Sequence, residues 1–383
     1  MTDLELLFLV LAVIYLWECA CWLRRGSVVF MTWFGRRWRL AHPAGLLGNQ
    51  RGGFVVATPL PPLGTMFVGN QFPLSLSPEA MLAYVATTLN PGNRPEQTAK
   101  LFRFEEVHSI EVRGKKLLVN EELLLKTATP TLTEYLAQQL RQLTKVPAAK
   151  RADAIEQLIR DAFHTKAIER RWQDFQKQAR DLRLVTNFLF GYLFIFAPAL
   201  IWKIGFRQCW AALLIGLLGF TITTALLFRR DHKKFYPDAE DERFTHFVTI
   251  LLSPATTIRA HDILSRPLLE NFHPLAIAKV FCAEEQFRHF ARKVLRDIRH
   301  PALPICPRED TLGQITERNS RARLQQAVEK FLKKNGVAPE ELTRPPSPAD
   351  QTCRSYCPRC EAQFTMSEGA CADCGGVPLM KLE

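Results

Sequence analysis

Hydrophobic residues gather in three long runs along the chain, at residues 4–23, 184–202 and 209–228. A helix that crosses the roughly 30 Å hydrocarbon core of a bilayer needs about 20 apolar residues, each rising about 1.5 Å. Each run therefore predicts a transmembrane helix. The first run is too long for a cleaved signal peptide and begins at acidic Asp3 and Glu5, so we expect an uncleaved anchor.

The second and third runs are separated only by residues 203–208, so they must be antiparallel neighbours in a transmembrane hairpin. Basic residues follow the first span and lie on both sides of the hairpin's base, whereas none precedes the first span and only Lys203 and Arg207 occupy the hairpin tip. The positive-inside rule then predicts an outside amino terminus, with residues 24–183 and 229–383 in the cytoplasm. We therefore expect a multi-pass protein of a bacterial-type inner membrane, with its carboxyl terminus in the cytoplasm.

The charge balance adds a partner to this topology. The chain carries 50 basic and 38 acidic side chains, a net charge of +12. Residues 24–183 hold 24 basic and 14 acidic side chains, so a net +10 lies in this segment. An anionic cytoplasmic leaflet attracts each nearby basic residue by about 1 kcal/mol. The pattern therefore favours membrane lipid over nucleic acid as a partner.

The polar segments predict folded cytoplasmic parts, and together with the spans they give a multi-domain membrane protein. β-branched and aromatic residues broken by Gly and Pro predict short strands, with a helix opening at Ser77. The strands are predicted at 28–32, 54–58, 66–68, 108–112, 116–119 and 122–127. The predicted boundaries are 27–145 for an α+β domain, 152–183 for a charged connecting helix, 237–335 for a helical domain and 337–352 for a Pro-rich extended linker.

Two pairs of residues in the helical domain suggest an alternative site. Glu242 and His246, like Glu285 and His289, lie four residues apart and share a helix face. Di-metal carboxylate bundles use a spacing of three, in the motif Glu-x-x-His. These four residues therefore form only an alternative metal or catalytic cluster, and satisfied polar residues on helix faces are the commoner explanation.

Near the carboxyl end stand two C-x-x-C pairs separated by ten residues, formed by Cys357, Cys360, Cys371 and Cys374. Two residues between paired cysteines let both sulfurs of a tight turn face one ion, and four thiolates make a closed tetrahedral zinc site. The pattern resembles a zinc ribbon over residues 353–382, under a tenth of the chain. The resemblance implies a small β-rich fold that holds structural zinc and commonly contacts proteins or nucleic acids.

Iron and disulfides remain alternatives for these cysteines. Rubredoxin-like sites hold redox iron with similar pairs, whereas disulfides need an oxidising compartment that the predicted topology does not give. A unit of about 30 residues cannot bury enough surface to fold alone, so bound metal should supply its stability. All four ligand positions are filled by the protein, which leaves no open position for catalysis.

No phosphate-binding loop, dinucleotide fingerprint, G-x-S-x-G or H-E-x-x-H motif occurs in the chain. The sequence therefore gives no reaction and leans against an enzyme. It favours a cytoplasm-facing binding or scaffold protein whose zinc ribbon docks a partner, either another protein or a second copy of the chain. A membrane enzyme that uses the His/Glu cluster is one alternative. A transporter or channel subunit is the other, and three spans would have to oligomerise to enclose a polar path.

Overall fold

The computed structural model describes residues 5–10, 13, 29–33, 36–38, 54–57, 67–69, 74–86, 97–127, 129–282, 284–300 and 311–382. Of the first predicted span, residues 5–10 and 13 are helical, and the rest lies outside the described residues.

The described strands are short. They are β1 (Val29–Trp33), β2 (Arg36–Trp38), β3 (Phe54–Ala57), β4 (Phe67–Gly69), β5 (Leu74–Leu76), β6 (Ala80–Ala86), β7 (Gln97–Arg103), β8 (Ile110–Arg113), β9 (Lys116–Val119), β10 (Glu122–Lys126), β11 (Ser355–Tyr356), β12 (Gln363–Phe364), β13 (Ala370–Cys371), β14 (Val377–Pro378) and β15 (Met380–Lys381). The six strands predicted from the sequence are confirmed to within two residues by β1, β3, β4, β8, β9 and β10.

Helices make up most of the described chain after residue 129. They are α1 (Pro130–Lys145), α2 (Ala148–Ala162), α3 (Thr165–Gln178), α4 (Arg180–Ile204), α5 (Phe206–Phe235), α6 (Glu240–Leu252), α7 (Pro254–Ile258), α8 (Ala260–Ser265), α9 (Pro274–Phe281), α10 (Glu284–Arg299), α11 (Thr311–Lys334) and α12 (Pro339–Leu342).

The described strands form five small sheets, with orders β2-β1-β3-β4, β5-β6-β7, β10-β9-β8, β12-β11-β15 and β13-β14. Among the described pairs, only β1 and β3 run parallel. By its contacts the chain divides into two compact units. Unit 1 is Met1–Gln71, Thr129–Leu132 and Thr165–Cys282, and unit 2 is Phe72–Ala128, Thr133–His164 and Ala283–Glu383. This division cuts across the predicted segments 27–145 and 237–335, because each of them contributes residues to both units.

The helix predicted to open at Ser77 is wrong, since residues 80–86 form β6 at the centre of its sheet. Ser77 Oγ does accept the N–H of Ala80 at 3.0 Å, the bond expected of a helix cap, but here it closes the turn between β5 and β6. Ala80, Met81 and Leu82 are fully buried. Burial in the sheet has therefore outweighed the local helical signal.

The long connecting helix predicted at 152–183 is broken, and so is the helical segment 274–299. The segment 152–183 is divided among α2, α3 and α4, with breaks at Phe163–His164 and at Ala179. The helix that begins after His273 ends at Phe281, and α10 starts a new one. The segment 337–352 contains the short helix α12, whose Leu342 is buried, so it is not wholly extended.

In unit 1, α4 and α5 are each long and apolar enough to span a membrane, and only Gly205 stands between them. A π-helical turn at Tyr192–Phe196 interrupts α4 just before Pro198, which lacks a backbone N–H. The two helices approach closely at Gly216, where an added Cβ would stand 2.5 Å from the Tyr192 hydroxyl oxygen. That hydroxyl donates to the Leu213 carbonyl at 2.7 Å, which ties the helices together.

Candidate metal centre

The cysteine module, residues 353–382, lies in unit 2 and is built from β11 to β15. The first C-x-x-C pair fills the turn between β11 and β12, and the second begins in β13 and ends before β14. The module has a minimal core, in which Phe364 and Leu379 pack against the buried residues Cys357, Cys371, Cys374 and Val377. So small a core leaves the cysteines as the main interior groups of the module.

The four sulfurs converge on one point. The Sγ atoms of Cys357, Cys360, Cys371 and Cys374 all lie within 4.8 Å of one another, and those of Cys360 and Cys371 are 3.8 Å apart. Four sulfurs placed tetrahedrally about 2.3 Å from a zinc ion stand about 3.8 Å from each other. A disulfide requires about 2.05 Å, and all four cysteines are free thiols. The set fits one metal ion and does not fit a disulfide framework.

Each turn is closed by a hydrogen bond between its first cysteine and the residue five positions later, although the donor and acceptor are exchanged between the two turns. Cys357 N–H donates to the Ala362 carbonyl at 2.8 Å, and Gly376 N–H donates to the Cys371 carbonyl at 2.9 Å. The residue after each pair adopts a left-handed backbone, at φ 64° for Glu361 and φ 75° for Gly375. Glycine adopts this conformation freely, whereas glutamate at the first turn is strained.

Backbone donors at the first turn favour thiolate at Cys357. Burial raises the pKa of this thiol, but the N–H groups of Cys360 and Arg359 donate to its sulfur, and with the neighbouring thiols they hold its pKa below the ordinary value. A metal ion requires thiolate ligands, so these donors prepare one of them. Cys360 is exposed while the other three ligands are buried, which places one edge of the site at the surface.

Two ion pairs fasten the first turn to α10. Glu361 Oε1 lies 2.5 Å from Nη1 of Arg296, whose side chain is 5% exposed, and Arg359 Nε donates to Asp297 Oδ1 at 2.8 Å. Two residues of one turn thus pair with two adjacent residues of the helix. The nearly buried Arg296 needs a counter-charge, which explains why the strained position carries Glu361 instead of glycine.

The alternative His/Glu cluster is divided between the units. In unit 1, Glu242 Oε1 lies 3.5 Å from His246 Nε2 on α6. In unit 2, Glu285 and His289 are exposed on α10. Across the described parts of the chain, the four cysteines alone form a group of three or more residues that could hold a metal.

The sequence assigned no site to a set of charged and histidine side chains in unit 1, each at least nine-tenths buried. This buried polar set consists of Asp231, His232, Arg259, His261, Asp262, Glu270 and His273. Some of its buried atoms have no hydrogen-bond partner among the described residues, namely Asp231 Oδ2, His232 Nδ1, His261 Nδ1 and Asp262 Oδ1. Glu242, Arg243 and His246 lie within electrostatic reach of His232, which joins the α6 pair to this set.

No protein-family model, curated protein or solved structure matches this chain. The function of the chain is therefore inferred from its own geometry.

Proposed function

We propose that this chain is an integral membrane protein that displays a structural zinc module in the cytoplasm as a docking site for a protein partner. The observation that carries the proposal is the convergence of four cysteine sulfurs at tetrahedral spacing in a module fastened to α10. With four protein ligands the metal has no open position for substrate. The module's contribution is then its surface, held in shape by the ion.

The hairpin of α4 and α5 supplies the membrane anchor. Its exposed side chains are largely apolar, among them Phe188, Ile195, Ile215 and Leu226. Trp202 and Trp210, both more than half exposed, flank the hairpin tip, where aromatic residues favour the headgroup layer. Arg229 and Arg230 follow the opposite end, which favours an outside tip and a cytoplasmic module.

Two exposed methionines on the module make a suitable contact surface. Met366 and Met380 are 54% and 46% exposed. Both lie next to β11: the Ser355 hydroxyl donates to the Met366 carbonyl, and Tyr356 pairs with Met380 across β11 and β15. Methionine side chains are flexible and polarizable, so they adapt well to a protein surface.

The test uses the full chain purified from its own membranes in mild detergent. We expect about one zinc per chain, as a closed four-cysteine site requires, and one defined protein partner that rebinds when both are purified. Cys357→Ser/Cys374→Ser should lose the zinc and the partner, while Cys353→Ser, which removes a thiol outside the site, should lose neither.

Met366→Glu/Met380→Glu should keep the zinc and lose the partner. If Cys357→Ser/Cys374→Ser loses zinc but still binds the partner, the docking role is overturned. If the purified chain is coloured and contains iron, the site holds redox iron instead of zinc.

A second candidate, a membrane enzyme, is favoured by one observation. The contact between Glu242 Oε1 and His246 Nε2 lies beside buried His232, an arrangement that suits proton transfer. Membranes containing the chain would be incubated with a lipid extract, and species that change only with the native chain would be sought by mass spectrometry. His246→Ala should abolish the change, and His289→Ala, exposed on α10, should not. The absence of any change that depends on His246 rejects this function.

A further inference from the structure

The segment that follows the hairpin packs alongside it. Helix α6 lies against α5, with the rings of His246 and Phe228 at 6.0 Å, and α7 contacts both α4 and α5. At the far end of the segment Ile258 packs against Leu189 and Leu193 of α4, in a cluster that Leu217 and Phe220 of α5 also join. Helices α6 and α7 therefore run back along the hairpin instead of leaving its end.

The depth of this return follows from helix geometry. Phe228 ends the third apolar run, and Phe220 and Leu217 precede it by eight and eleven residues. At about 1.5 Å per residue they lie about 12–16 Å further along the span, near the middle of a hydrocarbon core about 30 Å thick. Ile258 belongs to the same cluster and packs with Leu189 and Leu193, which lie about 8 and 14 Å along the span from the start of the second apolar run. Leu252 at the end of α6 is about 9 Å beyond His246.

The outer surface of the segment suits lipid. Helix α6 begins with charged residues, but from Phe244 to Pro254 the described exposed side chains are Phe244, Thr245, Thr249, Leu251, Leu252 and Pro254. None of them is charged, and Phe244 and Leu252 are 68% and 79% exposed. The hydroxyls of Thr245 and Thr249 donate to carbonyls four residues earlier, at 2.9 and 2.7 Å. That bond satisfies a hydroxyl where no water is available.

The turn between α6 and α7 satisfies its own polar groups. Ser253 N–H donates to the Thr249 carbonyl at 3.0 Å, and Ser253 Oγ accepts the Thr256 N–H at 3.3 Å. The Thr257 hydroxyl donates to the Ile250 carbonyl at 2.6 Å, and Pro254 has no N–H to satisfy. Non-helical backbone within a bilayer requires such internal pairing.

The charged residues in the later part of the segment are buried. Arg259 and Asp262 are each 2% exposed and pair at 3.7 Å, and His261 is also 2% exposed. Charged side chains at membrane depth are costly and face the protein interior. Their burial next to α4 and α5 fits a segment whose other side meets lipid.

We propose that residues 240–265 form a re-entrant helical hairpin that enters the cytoplasmic half of the bilayer beside α4 and α5, with Phe244, Leu251 and Leu252 against lipid acyl chains. This proposal rests on the proposed membrane-spanning role of α4 and α5. It replaces the expectation that this part of 237–335 lies in the cytoplasm. An apolar segment of this length, too short to span, is typical of a re-entrant element.

The test measures contact with acyl chains directly. An environment-sensitive fluorescent amino acid is incorporated at Leu252, in the full chain reconstituted into phosphatidylcholine vesicles that contain brominated lipid. Ile215, 71% exposed on α5, is the control for a spanning helix, and Ile315, 48% exposed on α11, is the control for a cytoplasmic surface. We expect bromine near the acyl chain end to quench Leu252 and Ile215 but not Ile315. A probe at Phe244 should be quenched more by bromine near the headgroup.

The possible outcomes separate the two proposals. Quenching at Ile215 without quenching at Leu252 overturns the re-entrant hairpin and leaves the spanning hairpin intact. Quenching at neither site overturns both. Because all probe positions are exposed, the substitutions leave the core unchanged, and circular dichroism verifies the fold of each labelled chain.

Discussion

The cysteine module and the buried polar set each bring reactive side chains together, and they do so in opposite ways. The module gathers four sulfurs from the short stretch 357–374, and a single ion can satisfy all of them. The polar set spans 231–273, and its members come from α5, from α8 and from the segments that flank α8 and α9. In the polar set the packed helices exclude water, and some buried polar atoms have no hydrogen-bond partner among the described residues.

The contrast teaches where the stability of each region resides. In the module a metal held by the four cysteines would supply the free energy of folding, because about 30 residues bury too little surface. In unit 1 the apolar packing supplies it, and the buried polar groups reduce it unless they are paired. Removing a bound ion should therefore unfold the module, whereas removing one buried charge should only lower the free energy of unfolding of unit 1.

The largest effect is expected from metal removal. Chelation or Cys371→Ser should unfold residues 353–382, since structural zinc contributes about 10 kcal/mol or more to modules of this size. Trypsin should then cleave after Arg354 and Arg359, while the helical signal in circular dichroism stays nearly unchanged. Cys353→Ser should remain resistant to trypsin. Equal resistance with and without metal would show that the module folds through packing, and the contrast with unit 1 would disappear.

The sequence predicted the module because its ligands are local. Spacing alone identified the four cysteines that the structure brings together, and β-branched runs located six of the fifteen described strands to within two residues. Ser77 misled because its side-chain bond to the N–H three residues on occurs both in helix caps and in the β5–β6 turn. The polar set stayed hidden because a sequence does not show which of several distant helices will cover Arg259 or His261.

The second effect is expected at the buried ion pair of Arg259 and Asp262. Arg259→Met should lower the free energy of unfolding by about 3 kcal/mol, because it leaves a carboxylate buried without its counter-charge. Arg259→Met/Asp262→Leu should recover part of the loss. Asp181→Asn breaks the pair with Arg230, whose side chains are 61% and 42% exposed, and should cost about 0.5 kcal/mol or less.

The measurement is thermal or denaturant unfolding in mild detergent, followed by circular dichroism. If Arg259→Met were as stable as Asp181→Asn, the buried pair would behave like a surface pair. Water would then reach the polar set, and unit 1 would not exclude water from its buried charges.

The smallest effect is expected from the pH dependence of His273. Burial lowers the pKa of this imidazole to about 3, and its Nδ1 accepts the Leu275 N–H at 3.1 Å as the cap of α9, which requires the neutral ring. The unfolded chain takes up the proton near pH 6.5. The stability from the neutral ring is therefore present above pH 6.5 and is lost as the pH falls toward 3, at a cost of about 1 kcal/mol between pH 6.5 and 5.5.

His273→Asn keeps a capping acceptor without the titration, so its stability should fall less over this interval. The resistance of the module to trypsin, measured in the same samples, should be the same in the native chain and in His273→Asn. If His273→Asn and the native chain lose stability equally, the imidazole is reached by water, and burial in unit 1 is looser than its packing indicates.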